Sequence, residues 1–390
     1  MEVKPGYKQT EVGMIPEDWN VECLSRCAEA SSGTTPSRAL AERYFHRGII
    51  PWVKTLDLNN AIIHETDECV TQEALCETSL RLYPAGSVLV AMYGGFAQIG
   101  RTGLLSFSAT TNQAITAICP NDKKLDSRYL LYFLNHHVEY WKSVASSSRK
   151  DPNITGADVR SFLIALPPRK EQCAIATALS DMDALLDGLD RLIAKKRAIK
   201  QASMQQLLTG QTRLPGSNGE WKVRRLGDVL AIKHGKSQKD VEANDGAYPI
   251  LATGGQIGLA SQPIYGKPSV LIGRKGTINQ PQYMDKPFWS VDTLFYSEMK
   301  NGNIAKFFYY RFCFIDWMQY NEASGVPSLN ARTIEGIECA CPDPEEQVAI
   351  AQVLSDVDTE ITALETRRTK TRALKQAMMQ ELLTGRTRLL

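Results

Sequence analysis

The sequence predicts an α+β protein of duplicated plan: two domains of mixed α/β structure joined by two long antiparallel coiled-coil helices, related by a pseudo-two-fold internal repeat. Three observations predict it. The run from Glu171 to Leu214 realigns without a gap on the run from Glu346 to Leu389, with roughly 25 of about 44 positions identical, which is the mark of a duplicated unit. Each copy carries apolar residues at alternating spacings of four and three. The blocks between the copies hold short apolar runs separated by glycine-rich turns, the pattern of buried strands.

The resulting order is 1–166, 167–214, 215–341 and 342–390, a variable block and then a repeat, twice over. In the first copy the apolar seam is Ile175, Leu179, Met182, Leu186, Leu189 and Ile193. In the second it is Ile350, Leu354, Val357, Ile361 and Leu364, before Arg368 breaks the stripe. Pro167 and Pro342 permit a helix only after them, and Gly210 and Gly385 suit helix stops. A helix of about 40 residues is about 60 Å long. One apolar stripe on such a helix needs a partner, and the other copy carries the same stripe, so the two helices are expected to pack on each other. Packing of each helix on its own domain is the other arrangement the stripe allows. Lys195, Lys196, Arg197 and Lys200 read as the solvated side. The end of the second copy could lead into Met1 as the end of the first leads into the second block, so the order is effectively circular.

The variable blocks echo each other more faintly. Glu17-Asp18-Trp19-Asn20-Val21 resembles Gly219-Glu220-Trp221-Lys222-Val223, and Ser32-Gly33 matches His234-Gly235. Strands are expected over 88–93, 114–118, 270–272 and 293–296, and helical aromatic stretches over 129–141 and 307–320. A repeat that stays similar while its neighbours diverge implies one task performed on two different targets.

Composition narrows the class without naming it. With 390 residues, 43% apolar and 23% charged, the chain reads as globular and of two or three domains. No apolar run approaches the roughly 18 residues of a membrane span, and Met1–Trp19 is polar, so a cytoplasmic protein with no membrane partner is expected. The net charge of +2 is uninformative, since a local basic face suffices for nucleic acid. Nine scattered cysteines, with Cys23/Cys27 and Cys339/Cys341 the only close pairs, lack zinc-ligand spacing; reduced, mostly buried thiols and no metal are expected. Catalytic signatures are missing. Gly266-Lys267-Pro268 is no phosphate loop, and Gly94, Gly95, Gly100 and Gly103 do not form a dinucleotide turn. Asp151-Pro152-Asn153-Ile154 is only a faint echo of an amino-methylating motif, and Pro342–Glu346 has no nuclease lysine.

The polar loops instead carry side chains that bond base edges and phosphates. Candidate DNA contacts in the first block are Ser32, Thr34, Thr35, Arg38, Arg101, Asn112, Gln113, Arg149 and Lys150. In the second they are Lys233, Lys236, Gln238, Lys239, Arg274, Lys275, Asn279, Gln280 and Asn330. Arginine suits guanine, and asparagine or glutamine suits adenine. Any one of them also suits a turn. His136 and His137, in an aromatic helical stretch, read as packing or surface residues.

Tyr7 through Trp19, Pro167 through Leu214 and the second copy of that segment resemble the specificity (S) subunit of type I restriction–modification systems, over the whole chain. The resemblance implies that each variable block is a target-recognition domain reading one half of a bipartite double-stranded DNA site. It implies spacer helices that dock two methyltransferase (M) subunits, and restriction (R) subunits in the full complex. The chain would be non-catalytic and hold no cofactor, with S-adenosylmethionine, ATP and Mg²⁺ on the partner subunits. Two other classes stay open at this point: a self-sufficient methylase or nuclease, and a scaffold for two proteins that does not touch DNA.

Overall fold

The computed structural model describes residues 5–146 and 153–389. They divide into two compact units, Met1–Gly188 with Arg368–Leu390, and Leu189–Arg367. The two long helices, Arg169–Leu208 and Pro344–Leu382, therefore each contribute one part to each unit. The first follows the Pro167-Pro168 pair and the second opens on Pro344, where proline's missing N–H is no loss. Gly210 and Gly385 follow the helix ends with φ of +73° and +69°, the left-handed turn that a Cβ would strain.

In the first unit a five-stranded sheet runs in the order Ala28–Ser32, Ile115–Pro120, Val88–Ala91, Thr102–Leu105, Ile62–Ile63, antiparallel except for the last pair. Val88–Ala91 is buried throughout because both its faces are covered. Val88 and Val90 join a core with Trp19, Tyr129, Phe133 and Trp141, while Leu89 and Ala91 join another with Val53 and Ile115. The second unit uses the same device. Its four-stranded sheet runs Leu230–His234, Leu294–Met299, Ser269–Gly273, Gln282–Met284. Val270 and Ile272 face a core with Phe307, Phe308, Tyr310 and Phe312, and Leu271 faces one with Ile250 and Phe288. The aromatic stretches are the helices Ser127–His136, Val138–Ser146 and Ala305–Phe314, followed in the second unit by a 3₁₀ turn Trp317–Tyr320.

The repeat residues attach the long helices to these domains by the same contacts in each unit. In the first, the Trp19 indole N–H donates to Glu171 (3.1 Å), and Arg388 grips the same carboxylate through Nε (2.7 Å) and Nη2 (2.8 Å). Arg388 also pairs with Asp18, and that hydrogen bond holds the Asp18 carboxyl below its usual range. In the second unit Trp221 donates to Glu346 (3.1 Å), gripped by Arg213 through Nε (2.6 Å) and Nη2 (2.7 Å). One residue further on, the Gln172 carbonyl accepts from Asp126 N and its amide donates to Pro167 O, as Gln347 does with Ile304 N and Pro342 O. Tyr132 donates to Asp183 (2.7 Å), which is ion-paired with Lys375; Tyr310 donates to Asp358 (2.7 Å), which is ion-paired with Lys200. Burial raises both phenols well above their ordinary range, so they remain donors.

Several expectations change in detail. Ile175 and Leu179 lie in the core of the first unit beside Leu382 and Leu383, and Ile350 and Leu354 in that of the second beside Leu207 and Leu208, so these seam positions pack on a domain. Leu189, Ile193 and Ile361 are buried outside those cores, while Met182, Leu186, Val357 and Leu364 are half-buried. Beyond Arg368 the buried side continues through Thr371 to Leu382. Lys196, Arg197 and Lys200 are not simply solvated: they pair with Glu360, Glu365 and Asp358. The nine cysteines are free, but only Cys27, Cys339 and Cys341 are buried, so most are not core residues. Among the described residues no helix is long and apolar enough to cross a membrane.

Candidate nucleic-acid interface

In the first unit, strand Ala28–Ser32 runs into Gly33, where a Cβ would lie 2.1 Å from Thr111 Oγ1; only glycine lets the chain pass so close. Thr34 N then bonds Thr111 O (2.9 Å), Thr35 donates to the Gln113 side-chain carbonyl, and Met92 N bonds Ala114 O (2.8 Å). Thr35 and Gln113 thus form a polar pair beside the strand that leads into the turn Gly94–Gly100. Arg101 is braced by Gln98 (3.1 Å). Ser32 bonds Thr116 and Thr34 bonds Ser79, so these hydroxyls are engaged within the unit. Asn112 is held by its N–H to Val53 O (3.1 Å), and its Oδ1 is buried without a partner. Arg38 is committed elsewhere: it forks onto Glu68 and stacks on Phe45 at 4.0 Å, in a small apolar cluster. Arg149 and Lys150 lie outside the described residues.

The second unit brings three of its candidates together, beside a histidine. His234, Arg274, Lys275 and Asn330 line one hollow of about 830 Å³ with Asp292, Phe295, Glu322 and Val326. The turn after Ser269–Gly273 is tight, since a Cβ on Gly273 would lie 2.1 Å from Thr277 O. It is zipped to the loop before Asn330 by Gly276 N to Pro327 O (2.8 Å) and Leu329 N to Arg274 O (2.9 Å). Arg274 is further steadied by Asp292 O (3.2 Å), and His234 packs edge-on against Phe295. Gly235 repeats the role of Gly33, with Val291 O where a Cβ would sit. Lys236 is fixed by its backbone, to Ser290 O and from the Trp289 indole, leaving its ammonium exposed. Lys239, Asn279 and Gln280 are exposed, Gln238 is half-buried, and Lys233 pairs with Glu298 at 3.7 Å. Asn330 caps the helix Ala331–Gly336 by accepting from Arg332 N (2.9 Å).

Sequence reasoning missed the acids Asp292 and Glu322, which no motif singles out. Trp19, Glu171, Arg213, Trp221, Glu346 and Arg388 fall within the matching segments, but nothing in their spacing marks them as an anchor. His136 and His137 are packing residues: His137 stacks on Phe133 at 4.3 Å, and burial lowers the pKa of both.

A family model described as "Type I restriction modification DNA specificity domain" matches residues 16–198 and again 218–373. The chain is 28% identical to the type I restriction enzyme MjaIX specificity subunit of Methanocaldococcus jannaschii over 267 residues, covering 63% of this chain and 60% of that subunit. It is 23% identical to the putative MjaX specificity subunit of the same organism, over 98% of this chain and 96% of that one. In fold it is similar to the crystal structure of a type I restriction–modification S subunit from M. genitalium, with a TM-score of 0.65, 15% identity and 98% of each chain covered.

Proposed function

Because the chain belongs to the family of type I restriction–modification DNA specificity proteins, we propose that it is the non-catalytic subunit that reads a bipartite double-stranded DNA site, one half-site per recognition domain. The observation that carries this reading is the doubled design: two polar faces of different composition, each beside a sheet that shares one order over four strands and each anchored by the same Trp–Glu–Arg contact. Identical anchoring with divergent faces suits two copies of one task with two targets. In the second unit Arg274, Lys275 and His234 supply cations and donors beside a shaped hollow, while Asp292 and Glu322 repel misplaced phosphates or accept from cytosine N4. In the first, Gln113 and Thr35 supply amide and hydroxyl groups for base edges.

On this reading the long helices pair as a coiled coil that spaces the two recognition domains. Burial of Leu189, Ile193 and Ile361 and the ion pairs Lys196–Glu360 and Lys200–Asp358 support the pairing. Leu185, Leu192 and Ile199 recur every seven residues and are exposed, a face suited to docking two methyltransferase subunits. Restriction subunits would join the same assembly. The chain itself holds no cofactor; S-adenosylmethionine, ATP and Mg²⁺ belong to the partner subunits.

Selection from a random duplex library by the chain with its methyltransferase subunits tests the reading. The expected product is two short sequences separated by an unread spacer, bound with an affinity that falls steeply with salt. Selection of one contiguous block, or of nothing, would overturn it.

A further inference from the structure

Phe96 stands at the tip of the turn between strands Val88–Ala91 and Thr102–Leu105. It is 51% exposed, the most exposed aromatic ring among the described residues. The turn beneath it is firmly built. Gly94 and Gly95 take φ of +120° and +104°, Gln98 N bonds Gly95 O (2.9 Å), and Gly100 N bonds Ala91 O (3.0 Å). Ile99 is buried, and a Cβ on Gly100 would press on Trp141 at 3.0 Å. A well-anchored turn that holds a large apolar ring in water presents that ring to something outside the chain.

The groups around the ring indicate what it meets. Lys142 Nζ, which also pairs with Glu139 at 2.7 Å, lies 5.9 Å from the ring centroid. An apolar ring with a cation beside it suits a thymine met from the major groove: the ring packs on the 5-methyl group, and the cation suits the adjacent phosphate. We propose that Phe96 is a specificity-determining contact of the first unit, packing on the 5-methyl group of one thymine in the half-site that unit reads. This rests on the DNA-reading role proposed above.

The test uses the chain assembled with its methyltransferase subunits on duplexes of the selected site, with each thymine replaced in turn by deoxyuridine, which lacks only that methyl. At one thymine of a single half-site, uracil should weaken binding about fourfold, the worth of one buried methyl group. Phe96→Ala should weaken binding to the thymine duplex by at least as much and abolish the uracil effect, with unchanged melting because the ring is at an exposed tip. Phe96→Leu should retain both affinity and uracil sensitivity. Uracil tolerance at every thymine, or sensitivity that persists in Phe96→Ala, would overturn the inference while leaving DNA reading intact. Methyl-independent binding with unstacking of a neighbouring 2-aminopurine would show the ring to be an intercalating wedge and would also overturn it. If the unaltered assembly does not prefer the selected site to a scrambled one, the DNA-reading role fails first and this inference with it.

Discussion

The two units anchor their long helices with one chemistry and differ in which part of the chain supplies it. Arg213 precedes the block it clamps by a few residues and closes on Glu346 and Trp221. In the first unit the equivalent grip comes from Arg388, 217 residues beyond Glu171, and is reinforced by a hairpin, Tyr7–Thr10 with Gly13–Pro16, whose Tyr7 hydroxyl donates to Gly385 O. The first unit is thus closed by the two ends of the described chain, and the second by an internal connection. Each shared contact has one partner at a position the repeat keeps, Glu171 and Glu346, Gln172 and Gln347, or Asp183 and Asp358.

The largest effect should come from the ends. Deleting residues 383–390 removes the Arg388 grip and the buried Leu383, a loss of about 5 kcal/mol. Hydrogen exchange should then accelerate across the first unit and stay unchanged in peptides of the second. Equal acceleration in both would mean the units are not separately closed.

Next are the carboxylates. Glu171 is only 2% exposed, so Glu171→Ala leaves the Trp19 indole N–H without its acceptor and the Arg388 guanidinium with Asp18 alone, at a cost of about 3 kcal/mol confined to the first unit. Glu346→Ala should mirror it in the second, and calorimetry with exchange mapping would reveal any crossover. Smaller still, Tyr132→Phe and Tyr310→Phe each remove one donor to a carboxylate and should cost about 1 kcal/mol, by urea melts.

The smallest effect separates the units by pH. His136 and His137, half-buried in the first unit, have pKa values lowered by burial. A folded-state pKa below the unfolded value means the unfolded chain binds protons more readily, so stability is full above about pH 6.5 and falls as pH drops below it. Between pH 7.5 and 5.5 the first unit should lose about 2 °C of melting temperature relative to the second. Replacing both histidines with phenylalanine should erase that difference.

Much of the fold was legible because local rules and the repeat pointed the same way. The proline starts, the glycine stops and the buried apolar runs at 88–91 and 269–273 each left a signal within a short window. The roles of Glu171 and Glu346 were not legible, since an acidic residue in a helix's first turn ordinarily complements the helix dipole in solvent. Their burial depends on Trp19, Arg388, Trp221 and Arg213, brought in from outside the helix. The candidate interface was harder for the same reason. Arg38 reads as a phosphate contact until Glu68, thirty residues away, takes its guanidinium, and Asn330 reads as a base contact until the helix after it needs a cap. Conversely, His234, Arg274 and Lys275 share a hollow only because strands distant in sequence are neighbours in the sheet.

The central claim is that each recognition domain reads its own half of one DNA site. Methylome sequencing of cells that express the chain with its cognate methyltransferase subunits, before and after residues 1–166 are exchanged for the matching block of a relative, tests it most directly. The account predicts a bipartite methylated motif in which the exchange rewrites one half and leaves the other half unchanged. A motif whose two halves both change, or neither, would contradict it.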